Sequence, residues 1–325
     1  MAFIHSGITE TVLSFKPEIP LPTPLDITED RGTYADPEKR RLLSKAAQVI
    51  PLTPYVGTEL VGIQLDQLDV EQKDDLALLA AERGVVFLRD QKLDSDGQYE
   101  FIKHFGPVNQ EPNQSDPRHV TIVGRDTDIR SYEGTNSGQF HSDLSFQPNP
   151  SSYTLLRMVR TPETGGDTIF VSQYALFSQL SKPYQKLLEG LHATHTSEHV
   201  FVNAINRGRS MKTLPGRWEH PLVRTHPVTK LKSLYYSPVY TTHIPELKAQ
   251  ESAHTLNFLR EHLHEADDLS VRWHWTAGSV AFWDNRIVTH RPIPGGYEKS
   301  TREGKRCSVY GERPFYDPNS RTLEM

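Results

Sequence analysis

The stretch "GQFHSDLSF", residues 138–146, sets two polar side chains, His141 and Asp143, two positions apart among large apolar residues. Strand side chains alternate between faces. The spacing therefore predicts a half-buried strand with Phe140, Leu144 and Phe146 on one side and His141 and Asp143 on the other. The polar pair is then either two ligands in register or two solvated residues on an outer face. With 15 histidines and 41 acidic residues in 325 positions, roughly two His-x-Asp/Glu triplets are expected by chance, so the pair alone does not identify a metal site.

Outward from this stretch, short apolar runs dominate everything after residue 119: "HVTIVGR", "SYTLLRMVR", "DTIFVS", "LYYSPVY", "VRWHWTAGSVAFWDN" and "RCSVYGERPF", separated by Gly, Pro, Asn and Asp. Two helices are predicted among them, near 173–190 and 246–265. The segment before them mixes both types. "ELVGIQL" reads as strand, "DVEQKDDLALLAAERG" as helix stopped by Gly84, "VVFLR" as buried strand and "SDGQYEFIKHFG" as helix. No βαβ alternation and no internal repeat is present. The pattern predicts a mostly β fold with flanking helices, a double-stranded β-helix or jelly roll of cupin-like form, whose interior can host a site lined by alternate strand residues. Residues 1–52 read as an N-terminal arm, in which the prolines of "KPEIPLPTPLDITEDRG" forbid regular helix and "DPEKRRLLSKAAQVI" allows one short one. Residues 53–325 read as the jelly-roll domain.

Composition bounds the partners. At 36% hydrophobic and 24% charged the chain buries a sizeable core. A net charge of −5, with no run of like charge beyond "EKRR" at 38–41, gives no attraction for nucleic acid. The single cysteine, Cys307, excludes a disulfide framework, a thiolate zinc site and a CxxC pair, and fits a reducing, cytoplasmic location. The first twenty residues lack a basic region followed by an apolar run, and no segment approaches 18 apolar residues, so a soluble protein with no membrane partner is expected. "NQS" at 113–115 matches a glycosylation pattern by chance. A homo-oligomer is left open.

A third ligand for the His141–Asp143 pair is offered by "FWDNRIVTHRPIPGG", where His290 closes a predicted strand before a Gly-Pro turn. A lone histidine there is more often structural; its weight comes from company. Two histidines and a carboxylate on one face of an octahedral ion leave the other face open, as in non-haem Fe(II) oxygenases, with room for a bidentate co-substrate and dioxygen. A 2-oxo acid with a distal carboxylate calls in addition for a cation away from the metal. A guanidinium suits that role, being always charged and able to offer two parallel hydrogen bonds. "YEKSTREGKRCSVYGERPF" places Arg302 and Arg306 four apart, on one face if the strand extends that far. Inward arginines repel unless anions lie beside them; on a turn both would face water, as arginines usually do. In "TPETGGDTIF" two glycines precede Thr168, a turn that delivers a hydroxyl to a strand start and is otherwise only a turn.

Two other histidine clusters carry less. "HTSEH", His195 to His199, has the spacing of inverted zinc peptidases, but it follows a helix stop at Gly190 and leads into "VFV", whereas that motif needs one helix face. "HLHE", His262 to Glu265, ends an amphipathic helix with Leu256, Leu259 and Leu263 on one side, and reads as a solvated face. No P-loop, GxGxxG or GxSxG occurs.

"FHSDLSF", "TPETGGDTIF", "HPLVRTHPVTK", "VRWHWTAGSVAFWDNRIVTH" and "RCSVYGERPFY", in this order and spacing, resemble the taurine/2,4-dichlorophenoxyacetate dioxygenase family, TauD/TfdA, over roughly residues 55 to 317. The arm lies outside the resemblance and has the texture of fungal members. The resemblance implies a jelly roll that uses Fe(2+), 2-oxoglutarate and O2. It implies His141, Asp143 and His290 as the metal ligands and catalytic centre, Thr168 and Arg302 as the 2-oxoglutarate contacts, Arg306 as the residue approaching an anionic substrate, and Trp283 as an aromatic close to the iron. At the substrate end the chain departs from the taurine enzymes. Glu111 stands where they carry a histidine, and Ser137 and Ser197 where they carry an asparagine and an aromatic residue. Tyr235, Tyr236 and Tyr240 are further candidates for the pocket wall, or ordinary strand packing.

The expected function is an Fe(II)- and 2-oxoglutarate-dependent dioxygenase that hydroxylates a C–H of a small anionic organic substrate such as a sulfonate, with release of succinate and CO2. The alternatives are the same chemistry on an amino acid or secondary metabolite in biosynthesis and, from a different class, a metal-free binding module.

Overall fold

The computed structural model describes residues 14–111, 114, 116–123, 140–293 and 297–325. In chain order the elements begin, after a 3-10 turn (Arg31–Tyr34) and a single helical turn (Arg40–Leu43) within the arm, with β1 (Gln48–Pro51), β2 (Thr58–Val61), α1 (Val70–Arg83), β3 (Val85–Leu88), α2 (Ser95–Ile102) and β4 (Val120–Val123). They continue with β5 (Ser151–Arg160), β6 (Thr168–Ser172), α3 (Gln173–Gln179), α4 (Lys182–Leu188), β7 (His192–Thr196), α5 (Glu198–Asn206), β8 (Arg217–Pro221), β9 (Val223–Thr225) and β10 (Lys232–Leu234). The last are β11 (Thr241–His243), α6 (Ala249–His264), β12 (Ser270–Trp273), β13 (Val280–Asp284), β14 (Val288–Pro292) and β15 (Glu303–Tyr310). The protein is thus mostly β with flanking helices. None of the described helices is long and apolar enough to cross a membrane.

Local chemistry sets the boundaries of these elements. Asp69 caps α1 by accepting the Gln72 backbone N–H at 2.8 Å, while the Gln72 side chain accepts the Asp69 N–H at 3.2 Å. Gly84 ends the helix at φ 76°, donating to the Ala80 carbonyl at 2.8 Å. A Cβ at Gly84 would lie 2.4 Å from Val288, so glycine is required here by space as well as by conformation.

Seven strands make the large sheet, in the order β1-β2-β3-β13-β5-β15-β4, and three make a facing sheet, β12-β6-β14. Alternation sorts their side chains into layers. Val86, Leu88, Tyr153, Leu155, Val280, Phe282, Cys307 and Val309 point outward from the large sheet onto α1 and α2. Val85, Phe87, Leu156, Met158, Ala281 and Trp283 point inward and meet Phe170, Val271, Trp273 and Val288 of the smaller sheet. Val171, on the far face of β6, packs with α3 and α6. The region between the sheets therefore holds an apolar core, and at one end of it the inward positions turn polar: Thr168, His290, Arg302 and Arg306.

Several expected elements differ. "FHSDLSF" is not a strand. His141 forms a single antiparallel bridge, and the chain then turns, with Leu144 at φ 55°; residues 138 and 139 lie outside the described residues. "LYYSPVY" contributes only the end of β10, because Tyr235 and Tyr236 are both buried, and alternation of faces has no role there. The helix expected over 173–190 is two, broken at Leu180 and Ser181, with Pro183 in the first turn of the second. "HTSEH" straddles β7 and α5 and forms no helix face. Leu259 and Leu263 of α6 are buried as expected, while His262 donates from Nε2 to the Leu176 carbonyl, 2.9 Å away.

A buried ionic network lies beneath the polar end. Arg286 meets Asp284 through two parallel contacts of 2.8 and 2.6 Å, Asp30 at 2.6 Å and Glu312 at 3.1 Å, and Arg224 also pairs with Glu312. His226 accepts the Val228 and Thr229 N–H groups on Nδ1, which leaves Nε2–H to donate to Asp284 at 3.0 Å. Burial alone would raise the Asp284 pKa, but Arg286 and His226 outweigh it and hold the carboxyl below its ordinary value. Asp30 also accepts from Tyr153 at 2.9 Å, so residues well before β1 are locked into the core.

Removing one member of such a network strands its partners. Arg286→Met is expected to lower unfolding free energy by about 3–5 kcal/mol, read by urea denaturation. A loss below about 1 kcal/mol would mean that the carboxylates are satisfied without the guanidinium.

Candidate metal centre

His141 and His290 are joined by reciprocal backbone hydrogen bonds, His141 N to His290 O and His290 N to His141 O, both 2.9 Å. Among the described residues, this isolated pair is the one sheet-like contact between the 140–148 turn and β14. It sets the two imidazoles with ring centroids 4.3 Å apart. Asp143 follows on the turn, with Oδ1 3.7 Å from His141 Nε2. One ligand atom from each of His141, Asp143 and His290 lies within 4.8 Å of the others, and this is the only cluster of three or more such donors among the described residues.

The turn is held from outside. Asn285, just past β13, accepts the Asp143 backbone N–H at 3.0 Å and the Trp283 indole N–H at 3.0 Å on its one oxygen. Its nitrogen donates to the Thr154 hydroxyl at 2.8 Å and the Ser152 carbonyl at 3.2 Å, and Thr154 in turn donates to Asp143 Oδ2 at 3.3 Å. All four hydrogen-bonding positions of this amide are thus used, two of them on Asp143 directly or through Thr154. His195 meets Ser145 Oγ at 2.9 Å and His220 donates to the Gln147 carbonyl at 3.0 Å. Burial pushes the His220 pKa down to about 3, which keeps that ring neutral.

The charge state suits a divalent ion. Burial pushes His290 down to about 3, with the nearby His141 adding to the effect, so the ring is unprotonated near neutrality. Burial would raise Asp143, but Arg306 and the two imidazoles hold it below its ordinary value. Neutral imidazoles and an ionised carboxylate are the forms that bind metal. His290 Nδ1 is shut from solvent without a partner among the described residues, the kind of atom that an ion or its surroundings would satisfy. The donor set of two nitrogens and one oxygen fits the Fe(II) arrangement better than a closed zinc site, which takes four protein ligands.

Around this cluster the other expected residues divide. Trp283 packs edge-on against His290, centroids 4.9 Å apart. Thr168 opens β6 and accepts the Trp275 indole N–H at 2.9 Å. Arg302, 3% exposed, donates from Nε to the Gly166 carbonyl at 2.9 Å. Gly165 and Gly166 both have positive φ, and a Cβ on Gly166 would sit 3.0 Å from Arg302 Cδ, so the glycine pair makes the space that the guanidinium occupies. Arg306 donates to Asp143 Oδ1 and lies 4.0 Å from Glu111. Ser197 accepts the Gly216 N–H at 2.9 Å, away from the cluster's hydrogen bonds. Ser137 lies outside the described residues. Of the three tyrosines, Tyr240 alone faces the centre, 6.2 Å from the His141 ring; Tyr235 stacks on His195 and Tyr236 donates to the Leu256 carbonyl. Asn285, Thr154 and Trp275 are additions that sequence reading missed. Only the polar Asn285 directly after the buried "FWD" could have signalled one of them.

Residues 48–308 match the profile described as "Taurine catabolism dioxygenase TauD, TfdA family". The "Alpha-ketoglutarate-dependent sulfonate dioxygenase" of Saccharomyces cerevisiae is 36% identical over 329 aligned positions, covering 93% of this chain and 80% of that protein. The "Alpha-ketoglutarate-dependent dioxygenase cnsP" of Penicillium expansum is 37% identical over 319, covering 91% and 86%. Among solved structures, a taurine dioxygenase from Burkholderia xenovorans superposes with a TM-score of 0.70 at 30% identity, over 86% of this chain and 96% of that one.

If Asn285 fixes the turn, Asn285→Ala should weaken Mn(II) binding by about 10- to 100-fold in calorimetric titration of protein that stays folded by circular dichroism. Unchanged affinity in a folded variant would reject the role.

Proposed function

Since the chain belongs to the taurine catabolism dioxygenase TauD, TfdA family, we propose that it is an Fe(II)- and 2-oxoglutarate-dependent dioxygenase that hydroxylates a C–H of a small organic sulfonate and releases succinate and CO2. The observation that carries this reading is the convergence of His141, Asp143 and His290 within 4.8 Å. These three side chains would hold the iron. The chemistry that iron(II) supplies when bound is the coupling of 2-oxoglutarate decarboxylation by dioxygen to oxidation of the substrate.

The protein's own part is placement. Arg302 receives the distal carboxylate of 2-oxoglutarate, its guanidinium positioned by the Nε bond to the Gly166 carbonyl. Thr168, whose oxygen already accepts from Trp275, turns its own proton toward the same carboxylate. Trp283 walls the metal side and keeps it dry. Arg306 offers a cation to the anionic end of the substrate, with Glu111 beside it on the substrate side. A second reading, in which an amino acid or secondary metabolite replaces the sulfonate, is favoured by Glu111, an acid 4.0 Å from Arg306 that suits a substrate carrying both charges.

The fold in this reading is a double-stranded β-helix: a large sheet that is antiparallel apart from the parallel β2–β3 pair, facing a smaller antiparallel sheet across one core, supports it. An arm of residues 1–52 and a catalytic body of 53–325 go with it, as the family match begins at residue 48. A cytoplasmic location accords with the one thiol, the buried Cys307.

His141→Ala is expected to abolish iron-dependent succinate release from 2-oxoglutarate in the presence of sulfonates; release at the parent rate would remove the centre from the mechanism. Arg302→Ala is expected to raise the KM for 2-oxoglutarate by about 10- to 100-fold, as for a lost charge-assisted contact, with a far smaller change for the sulfonate. Equal increases for both would assign Arg302 elsewhere.

A further inference from the structure

Asn109 is the one side chain among the described residues with both of its polar atoms, Oδ1 and Nδ2, shut from solvent and without a hydrogen-bond partner. The residue is 2% exposed. Leaving a buried amide unpaired costs on the order of 1–3 kcal/mol per group, so an uncommitted carboxamide in an otherwise packed wall calls for a partner from outside the fold.

Strand register says where the amide points. Val108 is bridged to Val309, and the flanking bonds run from Asn109 N to Ser308 O at 2.8 Å and from Tyr310 N to Pro107 O at 2.9 Å. Val108 and Val309 face the outer apolar layer, so Asn109 and Ser308 face inward, toward the chamber between the sheets. On β15 the inward row includes Ser308 and Arg306. Across the next strand Ser308 is opposite Thr154, the residue whose hydroxyl touches Asp143. Asn109 therefore lies two strands from Thr154, roughly 10 Å by inter-strand spacing. Glu111, two residues further on, is 4.0 Å from Arg306, which is itself bonded to Asp143. The carboxamide thus sits on the same wall as the cation that would take the substrate's anion, but two strand positions, about 7 Å, further along it.

We infer that Asn109 is a specificity-determining residue that hydrogen-bonds the end of the substrate remote from its anionic group, and that this end carries a neutral group able both to donate and to accept, a hydroxyl or a carboxamide. The inference rests on the dioxygenase reading and deepens it. A carboxamide has one acceptor and one donor side, and a hydroxyl can satisfy both at once. A methyl of equal size satisfies neither and leaves the amide buried and unpaired, which is how a site built for a polar group rejects an apolar isostere.

The test compares 3-hydroxypropane-1-sulfonate with its isostere butane-1-sulfonate by succinate release, for the parent enzyme and for Asn109→Leu and Asn109→Ala, together with ligand-free melting temperatures. The parent should favour the hydroxy compound in kcat/KM by at least about tenfold. Both variants should bring that ratio close to one while leaving the KM for 2-oxoglutarate unchanged, and Asn109→Leu should melt no lower than the parent. A preserved ratio in the variants overturns the inference. So does a fall of several degrees in melting temperature or a failure of Asn109→Leu to fold, either of which would show the amide to be satisfied within the fold. If the parent turns over neither sulfonate but still consumes 2-oxoglutarate slowly without substrate, the substrate class fails and this inference with it. Absence of any 2-oxoglutarate consumption by the parent would instead indict the dioxygenase reading.

Discussion

Two backbone hydrogen bonds between His141 and His290 hold the site together. Among the described residues they form an isolated bridge, joining a turn in the middle of the chain to the third strand of the smaller sheet. Every later feature depends on that register. A shift of one residue would turn His290 to the opposite face of β14, away from Asp143 and toward the layer packed by α3. An isolated bridge is weak by itself, and the chain compensates by gripping the turn from three directions: Asn285 on the backbone of Asp143, His195 on Ser145, and His220 on Gln147.

That grip transmits to the core through a single short segment. Trp283, Asp284, Asn285 and Arg286 are consecutive, and each faces a different task. Trp283 leans on His290, Asp284 and Arg286 anchor the ionic network that reaches Asp30, and Asn285 fastens the turn. The buried charges are not needed for packing, since apolar residues of similar volume often serve as well or better. What they add is direction: Arg286 has its planar donors fixed by Asp284, Asp30 and Glu312, so the backbone at Asn285 has little freedom to rotate. The arm, through Asp30, thereby contributes to the rigidity of a site that it does not touch.

What the sequence made legible follows from range. Residue types that are costly to bury, such as His141, Asp143 and His290, stood out against apolar neighbours, but their spacing alone left a solvated face open, and it was the ordered motifs around them that grouped them. The α1 boundaries were legible because Asp69, Gln72 and Gly84 act locally. "FHSDLSF" misled because its alternation arises from a turn: His141 and Asp143 point to the candidate metal cluster, Phe140 packs in the layer of α3 and α6 and Phe146 packs on Tyr240, which gives period two without a strand. "LYYSPVY" misled because Tyr235 is buried by stacking on His195 and by the Arg224 cation, contacts made from other strands. The break at Leu180 was written in Ser181 and Pro183, but within a run whose apolar periodicity continues past it. Asn285, Thr154 and Trp275 act only through partners distant in sequence, and nothing near them announces those partners.

The two asparagines of the chamber show how the polar groups are apportioned. Asn285 uses every hydrogen-bonding position it has, and its work is finished when the chain folds. Asn109 uses none of its own, although it is as deeply buried. A fully satisfied buried amide rigidifies its surroundings, whereas an unsatisfied one destabilises the fold unless something else completes it. The first stands behind the carboxylate of the metal cluster, where movement would be harmful. The second stands on the wall that also carries Arg306, on the side where the proposed substrate would bind. Placing the satisfied group behind the reacting centre and the unsatisfied one ahead of it reserves the uncompensated polarity for binding, since only a ligand that reaches across the chamber can relieve it.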